Sequence, residues 1–334
     1  MHLHHNLSKK ILAWYDNNRR ELPWRVSKKS PKKLYYRLLS EFMLQQTQVK
    51  TVLPYFKKFL LHYPTLHSLS KSNEKKVLKL WEGLGYYRRA RNLLKTAKIL
   101  VTEYNSRLPN KLINIKQLPG IGEYTANALL AFIHDVPTIA IDGNVKRVFS
   151  RILNKNEISL DLPKIIEINR KSLFKTKRHS DFVEALMELG ALICKPKEPE
   201  CLRCKIKISC KYFKSDKKFK VIKKTRSLEK SYDIFCYINK IRNKIALTNK
   251  HKLGFLDNFY LPPIKETNSR NKKQNWNFHS NFKNSISNKR LNINLYYKYS
   301  SKLPLQSQWF SLKTNNEFIP SFTKKIFKQF SNLN

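Results

Sequence analysis

The run Cys194-x6-Cys201-x2-Cys204-x5-Cys210 places four thiols within about seventeen residues, near enough along the chain to surround one metal centre. Structural zinc sites usually pair two C-x2-C-like knuckles, and only one such short pair exists here, so the spacing fits no ordinary zinc motif. A carboxylate offers a second kind of chemistry. On a helix of about 3.6 residues per turn, Leu34, Leu38, Glu41 and Gln45 share one narrow stripe, with Phe42 and Met43 beside it. Desolvation there would raise the Glu41 pKa toward that of a general acid at neutral pH. The same carboxylate would equally suit a pairing with one of the many lysines. Asp142, in Ala140-Ile-Asp-Gly-Asn-Val145, follows an apolar stretch and precedes a helix, which makes it a natural N-cap. About twenty residues earlier stands Leu118-Pro-Gly-Ile-Gly122, just ahead of an amphipathic helix starting near Tyr124. Gly120 and Gly122 in such a turn free backbone N–H groups to grip a phosphate, although a Pro-Gly turn between helices is also ordinary punctuation.

The elements that must position these residues are helical from Ser8 to about Leu192. Ser8 is expected to cap a helix carrying Ile11, Leu12 and Tyr15. Further helices are expected near 31–46, 51–63, 74–82, 88–104, 125–133, 144–153 and 181–192, with Pro64, Gly83, Gly85 and Pro119-Gly120 between them. The cysteine run follows at once, and its own Lys195, Lys197, Arg203, Lys205 and Lys207 predict a phosphate-facing surface. Residues 1–213 are thus expected to form a helical domain carrying these candidate site residues, 214–230 a basic linker, and 231–334 a second, α+β domain. Within the last, 232–238, 244–247 and 291–297 are rich in β-branched and aromatic residues and predict strands, while 267–281 is polar and predicts a loop. Cys236 stands apart as a small core residue.

Composition bounds the partner. Lys and Arg number 67 against 23 Asp and Glu, a formal net charge of +44, and so large a surplus calls for a polyanion, with nucleic acid the usual one. Part of the surplus also matches an AT-rich coding bias toward Lys, Asn and Ile. An apolar fraction of 41% excludes global disorder. Clustered cysteines argue against a disulfide scaffold and for a reducing compartment. The N-terminus lacks an apolar signal core, its His2, His4 and His5 read as a solvated tail, and no apolar run reaches the ~18 residues of a membrane span. The expectation is a cytoplasmic, nucleoid-associated bacterial protein, with no membrane partner.

Longer strings carry a resemblance. Glu41-Phe-Met-Leu-Gln-Gln-Thr-Gln-Val49, Leu22-Pro-Trp-Arg25, Leu80-Trp-Glu-Gly-Leu-Gly-Tyr-Tyr87 and Ile141-Asp-Gly-Asn-Val-Lys-Arg147 resemble the signatures of adenine-specific mismatch DNA glycosylases of the MutY type. The likeness extends from about Trp14 to Cys210. It implies a mainly α, helix–hairpin–helix glycosylase fold: a six-helix barrel plus an iron–sulfur cluster module, with a C-terminal α+β Nudix-like domain. The cysteine loop resembles that of endonuclease III-type glycosylases, which implies a [4Fe-4S] cluster on Cys194, Cys201, Cys204 and Cys210. The implied reaction is hydrolysis of the N-glycosidic bond of an adenine mispaired with 8-oxoguanine or guanine, flipped out of double-stranded DNA. Glu41 is then the acid at adenine N7 and Asp142 the stabiliser of the oxocarbenium-like sugar. Tyr124 and Asn144 match positions that order the reacting nucleotide. Trp24, Arg25 and Gln45 match substrate-contacting positions, and Gln46 with Tyr86 or Tyr87 matches residues that wedge into the base stack.

Two departures bear on activity. Where endonuclease III-type enzymes carry an attacking lysine, this chain has Tyr124, so the resemblance implies a monofunctional glycosylase without Schiff-base chemistry; a monomer is expected. In the C-terminal domain, Leu253-Gly254-Phe255, Leu261-Pro262 and Trp309 resemble the family's segments faintly. Ile286-Ser287-Asn288 stands where the family's Phe-Ser-His string reads 8-oxoguanine, so only Ser287 survives. The alternatives are a bifunctional endonuclease III-type pyrimidine glycosylase and strand-nicking lyase, or a non-catalytic DNA-binding protein. The missing lysine argues against the first, and the presence of both Glu41 and Asp142 against the second.

Overall fold

The structure, a computed structural model, describes residues 3, 6–216, 229–254, 256–257, 259–267, 274–286, 289–313 and 319–330. The chain divides into two compact units, one of Met1–Ser72 with Arg91–Lys223, the other of Asn73–Ala90 with Lys224–Asn334. Among the described residues no helix is long and apolar enough to cross a membrane.

The first unit opens with α1 (Leu7–Asn18), α2 (Lys33–Leu44), α3 (Val49–His62) and α4 (Leu66–Ser70). The short α5 (Glu74–Leu80) belongs to the second unit, and α6 (Arg88–Glu103) leads back into the first. The first unit continues with α7 (Leu112–Gln117), α8 (Glu123–His134), α9 (Gly143–Leu153), α10 (Leu162–Ile168), α11 (Arg170–Leu173), α12 (His179–Leu192) and α13 (Lys211–Lys214). Its apolar stripes meet in a core where Leu7, Ile11 and Tyr15 of α1 pack with Val148 and Phe149 of α9 and Phe182 and Leu186 of α12. The helix α1 starts one residue before Ser8. Asn6 takes the N-cap position, Leu7 anchors the first turn in the core, and Ser8 is buried inside the helix rather than capping it.

Two helix ends are stitched by one side chain. Asp135, in the left-handed region at the C-terminus of α8, accepts the Ser180 N–H at the start of α12 at 2.7 Å. This junction fixes α8 against α12, which carry Tyr124 and Glu184 of the cavity described below.

In the second unit the strands are β1 (Glu229–Asn239), β2 (Lys244–Leu247), β3 (Ile264–Thr267), β4 (Asn277–Ile286), β5 (Lys289–Tyr299) and β6 (Gln308–Ser311). They form one sheet in the order β4-β5-β1-β2-β6, with β3 on β1. The central pair, β1 with β5, is parallel from Glu229↔Arg290 to Ile238↔Tyr299, and the other pairs are antiparallel. One sheet face, with Ile234, Cys236, Ile293 and Leu295, packs on Phe322, Ile326, Phe327 and Phe330 of α14 (Ser321–Phe330). Cys236 is a core residue there, as expected. The polar stretch 267–281 is less of a loop than its composition implies. Asn277 already begins β4, held by its ladder to β5. Of the basic linker, residues 217–228 lie outside the described residues, as does Ser287.

Candidate active site

One cavity of the first unit gathers Trp24, Arg25, Glu41, Tyr124, Asp142 and Asn144, which the sequence scatters over some 120 positions. Each side chain is delivered by a defined element. Glu41 sits in the last turn of α2, buried beside Phe42 and Met43 on a helix whose apolar side faces the core. Burial pushes its carboxyl up to about 7. Arg37, one turn earlier, opposes that rise, whereas the negative charges of Glu184 and Asp142 add to it. The Tyr124 hydroxyl, on the first turn of α8, donates to Met187 Sδ at 3.9 Å and lies near enough to the Glu41 carboxyl for each to affect the other's proton affinity. Burial, with Glu41 and Asp142 close by, drives the Tyr124 phenol well above its ordinary value, so it stays a neutral O–H donor.

Asp142 caps α9. Its Oδ1 accepts the Val145 N–H at 2.7 Å and its Oδ2 accepts the Asn144 amide at 2.8 Å. Asn144 is itself gripped through its Oδ1 by Arg147 at 2.7 Å, and the same guanidinium donates to the Gly190 carbonyl at 2.8 Å and the Cys194 carbonyl at 2.8 Å. Gly190 of α12 packs directly on Asn144 of α9. A Cβ there would stand 2.6 Å from the Asn144 Cβ and 3.1 Å from its backbone.

A buried charge network borders the cavity, and the sequence reading missed it. Glu184 pairs with Arg37 and with Arg25 (3.3 Å) and accepts the Tyr15 hydroxyl at 2.5 Å. One turn on, Glu188 pairs with Arg20 (2.5 Å) and Arg25 (3.0 Å). Burial would raise both carboxyls, yet the arginines hold them below the ordinary value. Arg25 is therefore a mostly buried ion-pair partner that also lines the cavity, and Trp24 is a buried aromatic edge-on to Phe56 at 5.2 Å. The discoverable signal was the i,i+4 spacing of Glu184 and Glu188 within an otherwise apolar helix.

The remaining expected residues fall outside the cavity lining. Gln45 reaches the Gly120 carbonyl (3.3 Å) and Thr125 (3.5 Å). Gln46 is exposed with φ 57°. In the turn between α7 and α8, Leu118 and Ile121 are buried, while Gly120 (φ 79°) and Gly122, the N-cap of α8, are exposed with their backbone toward solvent. A Cβ on Gly120 would meet Asn92 at 2.7 Å. In the second unit Tyr86 is exposed with φ 51°, whereas Tyr87 is buried against Phe259 at 5.1 Å.

The four cysteines line a second, small cavity with Val148, Ile152, Leu189, Ile193 and Ile206. Among the described residues no three His, Cys, Asp or Glu side chains already stand as a ligand set. Burial, with the neighbouring cysteines adding, pushes the Cys204 thiol up to about 11. The donor chemistry nevertheless fits an iron–sulfur centre: four sulfurs, an apolar wall, and Arg151 placed 3.3 Å from Cys194 Sγ. Arg151 also ties the loop down through the Lys195 and Pro196 carbonyls at 2.6 and 2.9 Å. Of the loop's basic residues, Lys195 and Arg203 pair with Glu200, and Lys197 and Lys205 are exposed.

Residues 39–175 match the model of the HhH-GPD superfamily base excision DNA repair proteins. The chain is 35% identical over 321 residues to the adenine DNA glycosylase of Buchnera aphidicola subsp. Baizongia pistaciae, covering 90% of both chains. It is 36% identical over 208 residues to the adenine DNA glycosylase of Homo sapiens, covering 60% of this chain and 38% of that one. Among solved structures it is similar to a thermostable thymine-DNA glycosylase, with 26% identity and a TM-score of 0.55 over 62% of this chain and 94% of that one. It also shares its fold with a trapped endonuclease III–DNA covalent intermediate, at 23% identity and a TM-score of 0.50 over 62% and 93% of the two chains.

Proposed function

Because the chain belongs to the adenine DNA glycosylases of the HhH-GPD superfamily, we propose that the cavity around Glu41 and Asp142 is where adenine is cut from DNA. The protein is a base-excision repair glycosylase that removes adenine. The observation that carries the assignment of roles is the pairing of two unlike carboxyls in one cavity. Glu41 is desolvated enough to hold a proton near pH 7, while Asp142 is wrapped in N–H donors.

Glu41 donates its proton to N7 of the flipped adenine, turning a poor leaving group into a good one. Asp142 then faces the oxocarbenium-like sugar with negative charge, and water completes the hydrolysis. Tyr124 keeps the Glu41 proton oriented, and Asn144 fixes the Asp142 carboxylate. Trp24 and Arg25 wall the base pocket. The free N–H groups at Gly120 and Gly122 take a phosphate, with Gln45 bracing the turn, and the exposed Gln46 and Tyr86 enter the base stack. The substrate is a duplex with adenine opposite 8-oxoguanine or guanine, bound by a monomer on the nucleoid. The sheet-bearing unit, Nudix-like in this reading, inspects the opposite base with Ser287 among its contacts. Cys194, Cys201, Cys204 and Cys210 would hold a [4Fe-4S] cluster, whose irons, bound by the four thiolates, would cross-link the loop. The anaerobically purified protein is then brown, with about four irons per chain, and a colourless protein holding one zinc would overturn that assignment.

Incubation with duplexes carrying A opposite 8-oxoguanine, A opposite G, or thymine glycol tests the whole reading. Adenine is released from the first two while the strand stays intact until alkali is added. Nicking that keeps pace with base release would return the lyase reading.

A further inference from the structure

Arg37 and Glu41 stand one turn apart on α2, at the i,i+4 spacing where opposite charges on a helix ordinarily pair. They are not an ion pair here. The Arg37 guanidinium instead meets Glu184 of α12, lying over the Phe132 ring at 4.7 Å. Glu184 is anchored from its other oxygen by the Tyr15 hydroxyl and Arg25, at 2.5 and 3.3 Å, so it is a fixed post rather than a mobile partner. Arg37, Glu41 and Glu184 are all buried and line one cavity.

We propose that Glu184 is a positioning residue for adenine excision: by holding Arg37 toward α12 it denies Glu41 the cation one turn away, leaving the donor carboxyl unpaired in the cavity. This rests on Glu41 as the acid. The groups facing Glu41 are Arg37 on its own helix, Tyr124 on α8, Asp142 at the head of α9 and Glu184 on α12. Arg37 is the one cation among these four, so its placement decides whether Glu41 is a proton donor or half of a salt bridge. Two buried opposite charges cost about as much desolvation as they return in attraction. The Arg37–Glu184 pair is thus better explained by what it prevents than by stability.

The test is single-turnover adenine release against pH, with folding and duplex binding measured alongside, for the parent, Glu184→Gln, Arg37→Met, the Arg37→Met/Glu184→Gln double variant, and Glu41→Gln. In Glu184→Gln the freed Arg37 pairs with Glu41. The pH above which the rate falls should drop by about one unit, and release near pH 7 by ~10-fold, with binding kept. Arg37→Met should move that fall upward, and the double variant, which removes both buried charges, should return it close to the parent. An unmoved profile in Glu184→Gln, or a double variant that keeps the single variant's loss, overturns the proposal. If Glu184→Gln does not fold, an unmoved profile in Arg37→Met overturns it instead. Glu41→Gln releasing adenine at the parental rate would sink the acid assignment itself. An inactive Glu41→Gln beside an unmoved Glu184→Gln sinks only the positioning role.

Discussion

Glu41 burdens the fold it serves. With its carboxyl raised from 4.5 to about 7, the folded chain holds a proton that the unfolded chain has released over that interval. Stability therefore falls as pH rises from ~4.5 to ~7, and the full penalty, about 3 kcal/mol for a shift of roughly 2.5 units, is present above that range. Glu41→Gln should melt higher than the parent at pH 8 to 9 and alike near pH 4.5, while adenine release drops by at least ~100-fold. Equal melting temperatures at both pH values would show the carboxyl to be unstrained. Asp142→Asn separates capping from charge, since Asn caps a helix about as well as Asp. The cap survives but the acceptor for the Asn144 amide is lost, so the variant should be less stable by about 1–2 kcal/mol yet lose most of its activity, and full activity would remove Asp142 from the chemistry. Glu41 was legible because a carboxylate breaks an apolar stripe. Glu184 breaks an apolar helix in the same way, but its partners Tyr15, Arg25 and Arg37 lie some 150 residues away, so its pairing could not be read locally.

At the scale of elements, the site depends on how closely α9 and α12 pack. Gly190→Ala adds a methyl group 2.6 Å from the Asn144 Cβ, so the helices must part or Asn144 must move. Overpacking of this kind costs about 1–3 kcal/mol, offset by up to ~1 kcal/mol of helix propensity. A lower melting temperature and a loss of excision larger than the loss of duplex affinity are expected. An unchanged excision rate would mean that Asp142 does not need this contact. Long helices with clear apolar stripes, such as α2, α6 and α12, were readable to within a few residues of their ends. The short helices α4, α7 and α10 were not, since five to seven residues give too few turns to show a period, and seven-residue α5 was read only because Pro64 and Gly83 bracket its stretch. Strand β4 was hidden for another reason: its side chains alternate between exposed and half-buried, so it owes its place to the ladder with β5 rather than to an apolar face.

For the whole molecule, the net charge of +44 predicts binding governed by phosphate neutralisation. Duplex affinity should fall by ~10³-fold or more between ~50 and ~200 mM salt, as counterion release requires for several phosphate contacts. A nearly flat titration would assign the lysines to coding bias. The division into a helical and a sheet unit was legible from the change in composition after the cysteine run. The claim of 73–90 on the second unit was not, because it arises from contacts such as Tyr87 with Phe259 and Glu82 with Lys324, far apart in sequence. The sheet's central pair has a kinetic consequence. In the parallel pair of β1 and β5, Glu229 meets Arg290, a separation of 61 residues, whereas helices form from neighbours. Closing so long a loop comes before any reward from pairing, and non-local topologies fold more slowly than helical ones. On refolding from denaturant, helical signal should therefore return first and the ring environment of Trp276, packed on Phe235 and Tyr237 of β1, should follow on a slower clock.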